Sequence, residues 1–127
     1  MTAHAVAWIS HPDCLRHEIE PGHPESPQRL HAIHDRLIVC GLDTMMLHET
    51  APLATREQLV RVHDAAYVDA LLANDRPRRI DADTALGPHT LAAALRAAGA
   101  AVHAVDLVLE DRASLAFCGV RPPGHHA

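Results

Sequence analysis

The chain has 127 residues, enough for one domain with a modest core. Apolar residues make up 48%, yet Trp, Tyr and Phe occur once each, which favours closely packed helices over an aromatic-rich β-sandwich. With 11 Lys and Arg against 16 Asp and Glu, the net charge of -5 excludes a non-specific electrostatic grip on nucleic acid.

A loose alternation around Val6, Trp8 and Ile9 predicts a short strand over His4 to Ile9. Ser10 to Glu25, rich in His, Pro and Gly, reads as an ordered loop. Ser26 is a suitable helix N-cap, and Pro27 suits the first helical position. Leu30, Ile33 and Leu37 then recur at helical spacing until Gly41 supplies a stop. Met45 to Leu47 is expected to form a second short strand.

Thr55-Arg56-Glu57-Gln58 fits a capping box. Leu59, Val62, Tyr67, Val68, Leu71 and Leu72 continue an apolar face across a break at His63-Asp64. Asn74 to Pro88 is polar and irregular and is expected to be a surface loop. Arg76, Arg78 and Arg79 lie in it among acidic residues, as a solvated basic knot. A long helix follows from His89 to about Glu110, with Leu91, Leu95, Ala98, Val102, Val105 and Leu109 as its apolar stripe. Ser114 to Val120 reads as a strand, and Arg121-Pro122-Pro123-Gly124-His125-His126-Ala127 leaves its carboxyl end. Ligand sites of open α/β sheets gather beyond that end of the strands.

Cys14, Cys40 and Cys118 are odd in number and scattered, a poor disulfide framework that suggests a reducing compartment. No signal-peptide pattern and no membrane-length apolar run is evident, so a cytoplasmic setting is expected.

The final loop carries the strongest chemical signal. Proline fixes φ and glycine reaches conformations closed to other residues, so Pro-Pro-Gly holds His125 and His126 in a defined place. Imidazoles titrate near neutrality, so two of them beside a metal-bound water could take and return a proton. A second array, His11, Cys14, His17 and His23, has a ligand set acceptable to zinc but lacks paired-cysteine spacing. A histidine-rich loop held by hydrogen bonds is its competing reading. Asp81, Asp83 and Thr84 lack the Gly of an EF-hand and read as a rim or as solvated residues.

Three blocks resemble the histone deacetylase and acetylpolyamine amidohydrolase superfamily: His23-Pro24-Glu25-Ser26-Pro27-Gln28-Arg29-Leu30, His63-Asp64-Ala65-Ala66-Tyr67-Val68, and the Arg121 to Ala127 loop. The resemblance implies an α/β, arginase/deacetylase-like parallel sheet flanked by helices, of which residues 1–127 would be the N-terminal part of one catalytic domain. It implies zinc-dependent hydrolysis of an acyl-amide, with acetylated lysine or polyamine as substrate. His125 and His126 match the family's tandem histidines, and Gly124 the residue beside the acyl-lysine channel. Arg29 matches an arginine behind the zinc, and Asp83 or Thr84 would stand at the channel mouth. The family's zinc ligands, an Asp-x-His pair and a later Asp, are expected downstream, as is its oxyanion tyrosine. The chain alone is therefore expected to be inactive, with open apolar faces prone to self-association and neither nucleic acid nor membrane as partner. The alternatives are a non-catalytic helical interaction module and a small His/Cys metal-binding protein.

Overall fold

A computed structural model describes residues 4–74 and 76–125. Its centre is a three-stranded parallel sheet of β1 (His4–Ser10), β2 (Leu47–Thr50) and β5 (Ala113–Cys118), in the order β2-β1-β5. The remaining elements are α1 (Gln28–Val39), α2 (Arg56–Leu59), α3 (Ala65–Leu72), the two-residue strands β3 (Arg78–Arg79) and β4 (Ala85–Leu86), and α4 (Thr90–Leu109). Helices lie on both faces of the sheet, as the α/β reading requires. His34 of α1 stacks on Trp8 of β1, while α4 packs behind Ala7 and Ile9.

Several helix ends follow from local sequence. Gly41 takes φ +73°, with Gly41 N–H donating to Ile38 and Leu42 N–H to Leu37, a Schellman stop for α1. Thr55 and Gln58 form the expected reciprocal capping box. Asp64 caps α3 through the N–H groups of Ala66 and Tyr67, which explains the break read at His63-Asp64.

Six expectations are corrected. Helix α1 begins one residue later than expected, with Pro27 at the cap and no side-chain cap bond; the Ser26 carbonyl, rather than its hydroxyl, accepts from Arg29 N–H. The second strand is Leu47–Thr50, because Asp43–Met45 close a 3-10 turn first. The polar stretch before α4 is partly ordered as the antiparallel β3–β4 pair. The apolar face around α2 and α3 is largely solvent-facing: Val62 and Tyr67 are exposed, and Val68 alone of that series is buried.

Helix α4 packs through a different face from the one expected. Its buried face is Ala93, Gly99, Ala100 and Leu107, whereas Val105 and Leu109 point to solvent. In an Ala-rich helix nearly every face is apolar, so periodicity does not single out the side that packs. By length and mean hydropathy α4 is also long and apolar enough to cross a membrane, contrary to expectation. Here it lies on the sheet, with Arg96 paired to Asp13 and His103 to Glu49.

The core joins Ala7, Ile9, Ala51, Ala100, Leu107 and Ala113. Small side chains let backbones approach closely. A Cβ at Gly99 would stand 1.9 Å from the Pro52 carbonyl oxygen, and Ala54 N–H donates to the Leu95 carbonyl at 2.9 Å. The segment after β2 therefore crosses directly over α4. On the α1 side of the sheet, Leu115 and Phe117 of β5 remain 64% and 48% exposed, and β5 pairs with no described strand other than β1. The sheet thus leaves one apolar edge uncovered among the described residues.

Candidate functional site

The Arg121 loop begins where two parallel strands end side by side. Gly119 N–H donates to the Ile9 carbonyl at 2.9 Å, extending the β1–β5 pairing by one residue. The Ser10 hydroxyl then donates to the Gly119 carbonyl at 2.8 Å. These two bonds place the start of the loop at the carboxyl ends of β1 and β5.

Arg121 follows, and its side chain is fully buried. Nε donates to Glu25 Oε1 at 3.0 Å and Nη2 to Glu25 Oε2 at 2.7 Å, a bidentate pair. Nη1 donates to the carbonyls of Cys14 and His17, the first at 2.8 Å. Burying a charge is costly unless it is paired and hydrogen-bonded, and this one is both. No buried side-chain nitrogen or oxygen among the described residues lacks a hydrogen-bond partner.

The 23–30 block meets the same loop from the other side. Arg29 Nη2 donates to the Val120 carbonyl at 2.8 Å, one residue before Arg121. Glu25 N–H donates to His23 Nδ1, and His23 Nε2 stands 3.3 Å from Asp83 Oδ1. The first and third sequence blocks are therefore one structural unit, and His23 ties the loop carrying Asp83 and Thr84 to it. His17 completes the buried part, with Nδ1 hydrogen-bonded to Thr90 Oγ1 at 2.9 Å. Burial, and secondarily the Arg121 guanidinium, holds the His17 pKa below its ordinary value, with Glu25 opposing. Burial pushes the Cys14 thiol up, so Cys14 is a packed thiol rather than a reactive one.

The expected site residues fall as follows. Gly124 and His125 are exposed, and a Cβ at Gly124 would meet nothing within 4 Å. His126 lies outside the described residues. Asp83 is exposed, and Thr84 is half-buried with its carbonyl accepting from Ile80 and Asp81 N–H. Arg29 sits at the loop's base, half in solvent, with its guanidinium donating to the Val120 carbonyl and standing 3.9 Å from Glu25 Oε1.

The zinc array of His11, Cys14, His17 and His23 does not come together. His11 Nδ1 accepts from Asp13 N–H, His17 holds Thr90, His23 holds Glu25 N–H and Asp83, and Cys14 is sealed in the core. The loop is organised by hydrogen bonds, and the small metal-binding reading is set aside. Among the described residues no group of three or more His, Cys, Asp or Glu side chains is placed to hold a metal ion.

Glu25 and Arg121 stand inside their motifs with no role legible in the sequence, and nothing there marks Thr90 as the partner of His17. The signal was present for the pair, since a carboxylate and a guanidinium occupy fixed positions in two blocks. Their sequence separation of 96 residues hides the contact.

Comparison with known proteins supplies the context. The model of the histone deacetylase domain matches residues 23–127. A histone deacetylase-like amidohydrolase of Pseudomonas aeruginosa is 36% identical over 128 residues, covering 99% of this chain and 32% of that protein. A polyamine deacetylase of Homo sapiens is 34% identical over 134 residues, covering 99% of this chain and 19% of its own length. The crystal structure of the HDA15 HD domain superposes with a TM-score of 0.88 at 30% identity, over 100% of this chain and 37% of that one. The chain thus spans about a third or less of the length of these relatives.

Proposed function

The chain belongs to the histone deacetylase domain family, and on that premise we propose that it carries the proton-handling loop of an acyl-amide hydrolase acting on acetylated lysine or polyamine. The observation supporting this reading is the position of the loop. It leaves the carboxyl end of β5 beside the end of β1, where α/β sheets gather their ligands, and it is tied to the 23–30 block.

In this proposal His125 and His126 exchange protons with the attacking water and the leaving amine, one ring acting as base and acid and the other as an electrostatic partner. Gly124 leaves room for the acyl chain beside the backbone. Asp83 and Thr84 meet the substrate amide at the rim, and Arg29 borders the path behind the reacting carbon. Zinc, when bound, would polarise the acyl carbonyl and make water more acidic. Its ligands would be other than the described residues, so the chain alone is proposed to be inactive. Residues 1–127 are read as the N-terminal part of one catalytic domain, in a cytoplasmic setting, capable of self-association and with neither nucleic acid nor membrane as partner.

The test is a chimera in which these 127 residues replace the matching segment of the Pseudomonas aeruginosa amidohydrolase. It should release acetate from an acetyl-lysine peptide or an acetylated polyamine. His125→Ala and His126→Ala should each lower turnover roughly a hundred- to ten-thousand-fold with zinc content intact. A folded chimera whose activity ignores both substitutions, or whose zinc is lost with either ring, would overturn the assignment.

A further inference from the structure

We propose that Glu25 and Arg121 are a positioning pair whose task is to aim the loop at Gly124 and His125; this inference rests on the acyl-amide hydrolase reading above. The pair is poorly suited to a stabilising role. Removing two charges from water is costly, and well-packed apolar side chains commonly do as well. What a bidentate guanidinium–carboxylate contact provides that apolar packing does not is direction.

The geometry shows where that direction is applied. Arg121 is held by Glu25 from the 23–30 segment and by the Cys14 and His17 carbonyls of the loop after β1. The residues just before it are held as well: Arg29 fixes the Val120 carbonyl, and Ser10 fixes that of Gly119. From Gly119 to Arg121 the backbone or side chain of every residue is therefore anchored to another segment. Pro122 and Pro123 come next, each with φ confined near -65°. A chain that is pinned at Arg121 and stiff for two residues transmits its orientation to Gly124 and His125.

A merely structural pair would act differently. Its loss would loosen the sheet and α4 along with the loop. A positioning pair acts on the loop and leaves the packing of Ala7, Ile9, Ala100 and Leu107 in place.

The experiment is amide and ring NMR on the 127-residue chain, comparing the wild type with Glu25→Gln and Arg121→Lys. Glu25→Gln removes the charge and Arg121→Lys removes the fork, so each breaks the bidentate contact by a different route. The expected result is loss of the single set of Gly124 and His125 signals, by broadening or doubling, while Ala100 and Leu107 amides keep their wild-type shifts. Unchanged Gly124 and His125 signals in both variants would overturn the proposal. Collapse of core and loop signals together in both variants would overturn it equally, by showing a general structural role. The measurement involves no turnover, so its failure is distinct from failure of the hydrolase reading, which the chimera's activity decides.

Discussion

Gly119 lies flat against the indole of Trp8: a Cβ at this position would stand 2.1 Å from Cη2 of the ring. Trp8 is itself stacked on His34 at 5.8 Å and on Phe117 at 5.5 Å, contacts that oppose a shift of the ring. Gly119→Ala should therefore force a backbone shift where the candidate loop begins. The expected loss of stability is about 1–3 kcal/mol, read as a fall in urea midpoint with an unchanged slope. An unaltered midpoint would show that the strand end yields more easily than its packing indicates.

Leu107 is fully buried where α4 meets the sheet. Leu107→Ala should cost about 2–5 kcal/mol, whereas Leu109→Ala, at a 77% exposed position, should cost far less. Equal losses would mean that the packed face of α4 differs from the one described above. Chemical denaturation of the two variants makes the comparison directly.

His17 offers a pH test with a defined sign. Burial and the neighbouring Arg121 lower its pKa from the ordinary 6.5. Below pH 6.5 the unfolded chain therefore takes up a proton that the folded chain refuses, so stability falls with pH. The contribution is complete above 6.5, declines as pH drops toward the folded value, and is flat beneath it. NMR titration of the His17 ring should give a midpoint under 6.5, and a midpoint at or above 6.5 would refute the assignment.

Arg29 connects the base of the loop to α1 through the Val120 carbonyl. Arg29→Ala should cost about 1 kcal/mol of stability for that lost bond. In the chimera it should also slow turnover without removing zinc, since the side chain borders the proposed path behind the reacting carbon. Normal turnover in a folded variant would leave Arg29 with its contacts to Val120 and Glu25 and no part in the reaction.

Local signals in the chain anticipated local structure well. Gly41 marked the end of α1, Thr55 and Gln58 the start of α2, and the alternation around Trp8 marked β1. The same reasoning failed where partners are remote. The stripe read on α4 ran through Val105 and Leu109, because an alanine-rich surface offers several apolar faces and only the sheet selects among them. The histidines of the 11–23 loop left a metal site and a hydrogen-bonded loop both open, because spacing says nothing of direction. In the folded chain His17 turns to Thr90 and His23 to Asp83, 73 and 60 residues away.

Read as a string, the polypeptide already specified its helix stops, its capping box, its main strands and a proline-stiffened histidine loop, since each depends on φ restriction, capping or hydrophobic period within a few neighbours. Folding was needed to join Glu25 to Arg121, to rest Gly119 on Trp8 and to choose the buried side of α4. Those outcomes depend on which distant groups share a desolvated space, where a buried guanidinium must find a carboxylate and a backbone can pass only where a side chain is missing.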